Sequence, residues 1–162
     1  MKPLGSTWRR NLRRNSRGVD TPYTDAAILA SLPSVGAVVL ACLLSYAHDP
    51  VRLRNLDALR SLSGIAPVTK MSGKQKPQIL MRRARSLPLN NALHHWARIA
   101  VIRDPHFKEH YDRLRAKHSH ARALRGAMDR ILAIAIAMLR DHTLYDPARR
   151  VRGHDVRKKV SA

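Results

Sequence analysis

One serine of this sequence stands where it could act as a nucleophile toward a phosphate. Ser72 lies within residues 70–85, which contain no acid but carry six basic residues: Lys70, Lys74, Lys76, Arg82, Arg83 and Arg85. A serine hydroxyl held in line with a phosphodiester can accept the phosphoryl group when fixed cations neutralise the developing charge. Four of those residues could supply the cations: Lys74, Lys76, Arg82 and Arg83. Gly73 would let a DNA backbone approach closely.

The same stretch is also typical of a solvated basic loop. Prolines and glycines interrupt residues 65–88 and favour a loop with room for a small hairpin or a short helix. No histidine or carboxylate lies near Ser72 in the sequence to receive its proton. Both interpretations are open from the residues alone.

A second candidate for phosphate contact is the segment Leu32–Gly36 (LPSVG), which separates two apolar segments. In a helix-hairpin-helix element, a sharp turn brings bare backbone N–H groups and the positive end of the second helix against a phosphate. Gly36 could make that turn because it has no side chain. The alternative is that this segment only connects two core helices.

Nine histidines raise the possibility of a metal site, but their spacing does not favour one. They include three close pairs: His94 with His95, His106 with His110, and His118 with His120. Only Glu109 accompanies the second pair, and no cysteine is near any of them. We therefore interpret the histidines as part of a basic surface, and we expect no metal and no cofactor in this chain.

The charge balance points to a polyanionic partner. Among 162 residues there are 31 Lys+Arg and 11 Asp+Glu, a formal net charge of +20. Nucleic acid is the default partner of such a chain, and an acidic membrane surface is the competing one. Aromatic residues make up only 4% of the sequence, so contacts with the nucleic-acid backbone should outweigh base stacking.

Membrane insertion and secretion are disfavoured by the apolar segments. The longest, residues 35–47, is shorter than the ~18–20 residues that a membrane-spanning helix needs. Asp20, Pro22 and Asp25 interrupt the region behind the basic amino terminus, which therefore does not resemble a signal peptide. Cys42 is the single cysteine, so no internal disulfide can form. We expect a cytoplasmic protein.

Hydrophobic periodicity predicts an all-α fold over residues 25–147, between a disordered basic arm at 1–24 and a basic tail at 148–162. The predicted helices cover residues 25–31, 35–47, 55–63, 89–103, a stretch that starts at Pro105, and 120–140. Thr24 and Gly64 are the expected helix caps, and Asp104–Pro105 should end one helix and start the next. The basic segment around Ser72 would then lie between two helical regions.

A series of motifs in one order carries a family resemblance. They are ILASLPSVGAVVLACLLSYAHDP, LRSLSGIAPVT, MSGK, MRRARSLPLNNALHHWAR, DPHFKEHYDRLRAKHSHARAL and MLRDHTLYDP. Together they cover about residues 25 to 147, most of the chain. The series resembles the carboxyl-terminal domain of the insertion-sequence transposases of the IS110 family, with its IS116 and IS902 relatives.

The resemblance implies a role in DNA transposition and recombination. In that family, a RuvC-like domain with an Asp-Glu-Asp-Asp metal site precedes the helical domain, and the two halves form a composite active site. The serine of a Ser-Gly-Lys-like loop, which looks like Ser72, would make a transient covalent link to DNA. Gly36 would match the hairpin glycine that touches the nucleic-acid backbone. The implied partners are DNA, a structured guide RNA and, in the intact family, further copies in an oligomer.

The sequence departs from the family pattern at two places. Residues 1–24 are too short to hold a RuvC-like domain and contain only Asp20 as an acid, so the expected divalent metal belongs to a domain that is missing here. We therefore expect a truncated or frame-shifted remnant, or the second piece of a split gene. Ser34 stands where the family commonly has the first glycine of its hairpin. Two hypotheses follow, a transposase fragment with a potential serine nucleophile and a non-catalytic basic nucleic-acid-binding remnant. A membrane-surface protein is a distant third.

Overall fold

A computed structural model describes the backbone of residues 23–70, 78–81 and 83–147, and the side chains of residues 23–66 and 83–147. The predicted disordered arms, residues 1–24 and 148–162, lie outside this part of the chain except for Tyr23 and Thr24. Ser72, Gly73, Lys74, Lys76 and Arg82 also lie outside it.

The described residues form seven helices and one β-hairpin, which confirms the all-α class. The helices are α1 Asp25–Ala30, α2 Ala37–Tyr46, α3 His48–Arg52, α4 Leu56–Ser63, α5 Leu87–Arg103, α6 Pro105–Arg115 and α7 His120–Asp141. Between α4 and α5 lie the strands β1 Pro67–Lys70 and β2 Gln78–Met81. The strands pair antiparallel, with Pro67 opposite Met81 and Lys70 opposite Gln78. The predicted loop therefore contains a small hairpin.

Helix ends follow local signals in the sequence. The Thr24 hydroxyl accepts a hydrogen bond from the Ala27 N–H at 3.2 Å and caps α1. The Asp104 carboxylate caps α6 through the His106 N–H at 2.9 Å, and Pro105 occupies the first turn. Gly64 ends α4 with a φ of 76°, a left-handed conformation that favours glycine. The predicted caps are confirmed.

The predicted helix over residues 35–47 is shorter in the structure and is followed by a separate helix, α3. The chain leaves helical geometry at Ala47, where φ is −114° and ψ is 26°. Pro50 explains the break, because a proline ring within a helix clashes with the carbonyl four residues earlier, here that of Tyr46. The break turns the chain between α2 and α3.

The core is built mainly from α5 and α7, with α2 and α6 packed on them. The largest fully buried side chains include Trp96, Phe107, Leu132 and Leu139. Burial of such a side chain contributes about 1.5–3 kcal/mol each. None of the helices that the structure describes is both long enough and apolar enough to span a bilayer.

Two ion pairs connect helices that are distant in sequence. The Arg54 guanidinium donates to both oxygens of Asp25 at 2.6 and 2.8 Å, which joins the α3–α4 connection to the start of α1. Arg60 on α4 donates to Asp129 on α7, with one of its two bonds at 2.9 Å. Hydrogen bonding to Asp129 raises the pKa of Arg60, partial burial opposes this, and Asp57 adds to the rise. Both arginine side chains are thus held in ion pairs within the fold.

Candidate nucleic-acid interface

The turn between α1 and α2 is held from two sides. The Trp96 indole N–H donates to the Pro33 carbonyl at 2.9 Å, and the Tyr145 backbone N–H donates to the Ser31 hydroxyl at 3.0 Å. Trp96 belongs to α5 and is buried in the core. The turn therefore has a fixed position relative to the helical core.

Within this turn the left-handed residue is Ser34, with a φ of 60°. The prediction that Gly36 makes the sharp turn is wrong. Gly36 has a φ of −96° and a ψ of 163°, an extended backbone that any residue adopts, and a Cβ placed on it would meet no atom within 4 Å. Ser34 thus holds a conformation that glycine adopts more easily, at the position where the resemblance placed a family glycine.

Gly36 nevertheless lies where an anion could approach. It is exposed and is the N-cap residue of α2, a helix of 10 residues. The first N–H groups of a helix have no partner within the helix, and they carry a partial positive charge. Open space around Gly36 leaves this helix end accessible.

Two of the predicted basic residues lie at opposite ends of the hairpin. Lys70 ends β1 beside the connection formed by residues 71–77, whereas Arg83 follows the opposite end of the hairpin. At ~3.4 Å per residue, the two ends of the four-residue ladder are about 10 Å apart. Ser72 is two positions beyond the end of β1 in sequence. Lys70, Arg83 and Gly36 are the predicted site residues whose backbone the structure describes.

The base of the hairpin is attached to α4. The Ser86 N–H donates to the Leu62 carbonyl at 2.9 Å, and the Asn90 side-chain amide donates to the Ser63 carbonyl at 2.7 Å. The Arg85 side chain lies over Gly64, so closely that a Cβ there would collide with Arg85 Cδ. Arg85 thus packs on the fold, whereas Arg83 is exposed.

Sequence reasoning missed a wider basic surface on the three long helices and on the connection between α6 and α7. Its exposed members were visible only as scattered charges: Arg98, Arg103, Lys108, Arg113, Lys117, Arg122 and Arg130. Acids that could neutralise a basic surface are partly engaged inside the fold, as Asp25 and Asp129 are. The helical domain therefore presents cations well beyond residues 70–85.

Histidines lie at the junction of α5, α6 and α7. His94 and His95 have ring centroids 6.2 Å apart, and the Tyr111 hydroxyl lies 2.6 Å from His120 Nδ1. Partial burial lowers the pKa of His94, and the neighbouring His95, Arg98 and His120 lower it further. Among the described side chains, no three histidine, cysteine or acidic residues are arranged to hold a metal ion.

A known protein family matches more than half of this chain. Residues 26–112 match the model of the Transposase IS116/IS110/IS902 family. That match includes the α1–α2 turn, the hairpin and most of α6.

Individual relatives extend the match along the chain. The 42 kDa protein of insertion element IS900 from Mycobacterium paratuberculosis is 31% identical over 78% of this chain and 32% of its own length. The 43.6 kDa protein of IS110 from Streptomyces coelicolor is 32% identical over 74% of this chain and 30% of its own length. The 44.8 kDa protein of IS116 from Streptomyces clavuligerus is 31% identical over 85% of this chain and 35% of its own length. The chain spans about a third of the length of these relatives. On the strength of these matches, the chain belongs to the Transposase IS116/IS110/IS902 family.

Proposed function

We propose that this chain is the helical, DNA-binding part of a transposase and acts in DNA transposition and recombination. The family match over residues 26–112 is the observation that carries the proposal. It covers both candidate phosphate contacts, the start of α2 at Gly36 and the segment of the sequence around Ser72. A net charge of +20 supports a polyanionic partner.

In the proposed interface, cations hold the phosphates and the two glycines allow close approach. Lys70, Lys74, Lys76, Arg82 and Arg83 contact the DNA backbone around the hairpin. Gly73 gives the backbone room beside Ser72, and Gly36 offers the N–H groups at the start of α2. The two ends of the hairpin are ~10 Å apart, a distance that a few consecutive phosphates of one strand can span. One DNA strand could therefore contact both ends of the hairpin.

Ser72 is proposed as the nucleophile. Its Oγ attacks a DNA phosphorus, a bond forms between Oγ and phosphorus, and the bond from phosphorus to one deoxyribose oxygen breaks. The released oxygen takes a proton, and the Ser72 proton goes to a base on a second, RuvC-like domain. Attack by another DNA hydroxyl on the phosphoserine restores Ser72 and completes strand exchange. A divalent metal in the RuvC-like domain would supply Lewis-acid activation, and no residue of this chain is proposed to hold it.

The partners proposed here are DNA, a structured guide RNA and further copies of the intact protein. The proposed place of action is the cytoplasm, at the nucleoid. The alternative is a basic nucleic-acid-binding remnant that has kept the surface and lost the chemistry. The two hypotheses differ in one respect, since only the first forms a covalent protein–DNA link.

The test combines this chain with the RuvC-like domain of a relative, a nicked or duplex DNA substrate and Mg²⁺. We expect a protein–DNA adduct that survives denaturing electrophoresis. Ser72→Ala should abolish the adduct while DNA retention persists, because the cations remain. Ser119→Ala is the matched control, since Ser119 is exposed and makes no capping hydrogen bond at α7.

Each outcome decides between the hypotheses. An adduct that persists in Ser72→Ala removes this residue from the mechanism. DNA binding by the native chain without any adduct supports the non-catalytic remnant. Absence of DNA binding contradicts both.

A further inference from the structure

An open groove of about 640 Å³ lies beside the base of the hairpin. The end of α2, the start of α3 and one side of α4 form its walls, and Ala84 closes it next to the hairpin. The groove follows from the helix break at Ala47, because the turn there separates α2 from α3. None of the residues that line it belongs to the candidate site described above.

Two large side chains line the groove without being buried. Tyr46 is 51% exposed and Leu53 is 59% exposed. Burial of apolar area contributes about 25 cal/mol of stabilisation for each Å² that it removes from water. A ligand that covered these two side chains would gain this stabilisation. The exposed ring of Tyr46 also offers a flat surface on which another planar group can stack. The groove thus has the apolar part of a site for a planar ligand.

The start of α3 adds a charged side chain to this otherwise apolar groove. Asp49 lines the groove with a side chain that is 77% exposed, and His48 Nδ1 lies 3.3 Å from it. The Arg52 Nε is 4.0 Å away, at the limit of an ion pair. A carboxylate repels phosphate, but it accepts hydrogen bonds from the exocyclic amine of cytosine or adenine. This edge therefore suits an amino-bearing base and does not suit a phosphate.

Two exposed cations neighbour lining residues of the groove along the chain. Arg83 is exposed and immediately precedes Ala84, and Arg52 is exposed on α3. A strand that inserted one base would leave its phosphates outside the groove, near these guanidinium groups. A second copy of this chain would instead bring two charges of +20 together. Nucleic acid fits the charge of the surroundings better than another basic chain does.

We propose that this groove binds one unpaired, amino-bearing base of a DNA strand, stacked on Tyr46 and hydrogen-bonded to Asp49. The proposal rests on the proposed function, since it requires that the chain binds DNA. Single-stranded DNA should be preferred at this site because no base has to be unstacked first.

The test measures the affinity of the full chain for single-stranded oligo-dC and oligo-dT and for a duplex, all of equal length and at one salt concentration. The native chain should bind oligo-dC more tightly than oligo-dT. Tyr46→Ala should lose about tenfold on oligo-dC and little on the duplex, whereas Tyr46→Phe should retain binding. Ile102→Ala is the control, because Ile102 is 77% exposed on α5 and does not line the groove.

Asp49→Ala tests the hydrogen-bonding edge. Loss of one negative charge should tighten binding to every oligonucleotide, so the informative quantity is the ratio of the two single-strand affinities. That ratio should fall toward one.

Several results would overturn the proposal. The first two are an equal effect of Tyr46→Ala and Ile102→Ala on oligo-dC, and an equal loss on single strands and duplex for Tyr46→Ala. The other two are tighter binding of the matching RNA than of DNA, and a change of oligomeric state in Tyr46→Ala. If the native chain binds DNA and Tyr46→Ala has no effect, only the groove proposal fails. If the native chain binds no nucleic acid, the proposed function fails as well.

Discussion

The ion pair between Arg54 and Asp25 should be a main source of stability for the α1–α2 region. Asp25→Asn keeps the shape of the side chain but removes its charge. The Arg54 side chain is only 12% exposed and that of Asp25 29%, so water cannot readily replace the lost partner. We expect Asp25→Asn to destabilise the fold without removing any proposed DNA contact.

The structure sets the size of this effect. Two short bonds of 2.6 and 2.8 Å become at most one bond to a neutral oxygen. Hydrogen bonds to charged groups contribute about 1.5–3 kcal/mol, and the negative charge in the first turn of α1 contributes about 0.3–1 kcal/mol more. Arg54 also has a φ of 55°, a strained conformation that its pair with Asp25 and the Arg140 bond to its carbonyl help to maintain. We expect a loss of about 2–3 kcal/mol in the free energy of unfolding.

Urea denaturation followed by circular dichroism measures this loss. Asp112→Asn is the control, because it makes the same charge change at an exposed position of α6 and should alter stability by less than about 0.5 kcal/mol. Equal effects of the two variants would refute the assignment of stability to the ion pair. A weaker affinity of folded Asp25→Asn for DNA would also contradict the reasoning, because the variant carries one negative charge fewer.

Three further predictions concern backbone strain and protonation. Ser34→Gly should leave the unfolding midpoint unchanged or raise it slightly. Ser34→Val should lower the free energy of unfolding by more than about 1 kcal/mol, because a β-branched residue tolerates the φ of 60° poorly. Equal midpoints for the two variants would disprove the left-handed turn. Gly64→Ala should lower the free energy of unfolding by at least about 1 kcal/mol, because the added Cβ would meet both a φ of 76° and the Arg85 side chain. A neutral effect in urea denaturation would be inconsistent with this packing. The pKa of His94 is lowered from 6.5, so its contribution to stability is present above pH 6.5 and is lost as the pH falls below that value toward the folded pKa. His94→Gln should therefore reduce the stability loss measured between about pH 7.5 and pH 5, and an unchanged loss would argue against burial of His94.

Local sequence signals were sufficient to predict where most helices start and end. Thr24 and Asp104 cap helices through bonds to residues two or three positions away, and Gly64 adopts its left-handed conformation at a helix end. Such interactions are determined within one turn of helix. The predicted helix over residues 35–47 ended close to the break at Ala47, but the short helix α3 that follows was not predicted, because its five residues carry no apolar periodicity.

Features that depend on tertiary contacts could not be predicted. Ser34 takes the left-handed conformation in a turn held by Trp96, which is 63 positions from its partner Pro33. Arg60 and Asp129 are 69 positions apart, so the sequence alone did not show which arginines are already paired. The groove beside the hairpin likewise depends on how α2, α3 and α4 meet. The assignment of Ser72 and its neighbouring cations stays a prediction.

The central claim is that this family member holds DNA by neutralising phosphates with its cationic surface. The most direct measurement is its affinity for a generic duplex between about 50 and 200 mM salt. We expect a straight line of log affinity against log salt concentration, with a slope of about −0.9 for each phosphate contacted and several contacts in total. A slope near zero, or no binding at the lowest salt concentration, would contradict it.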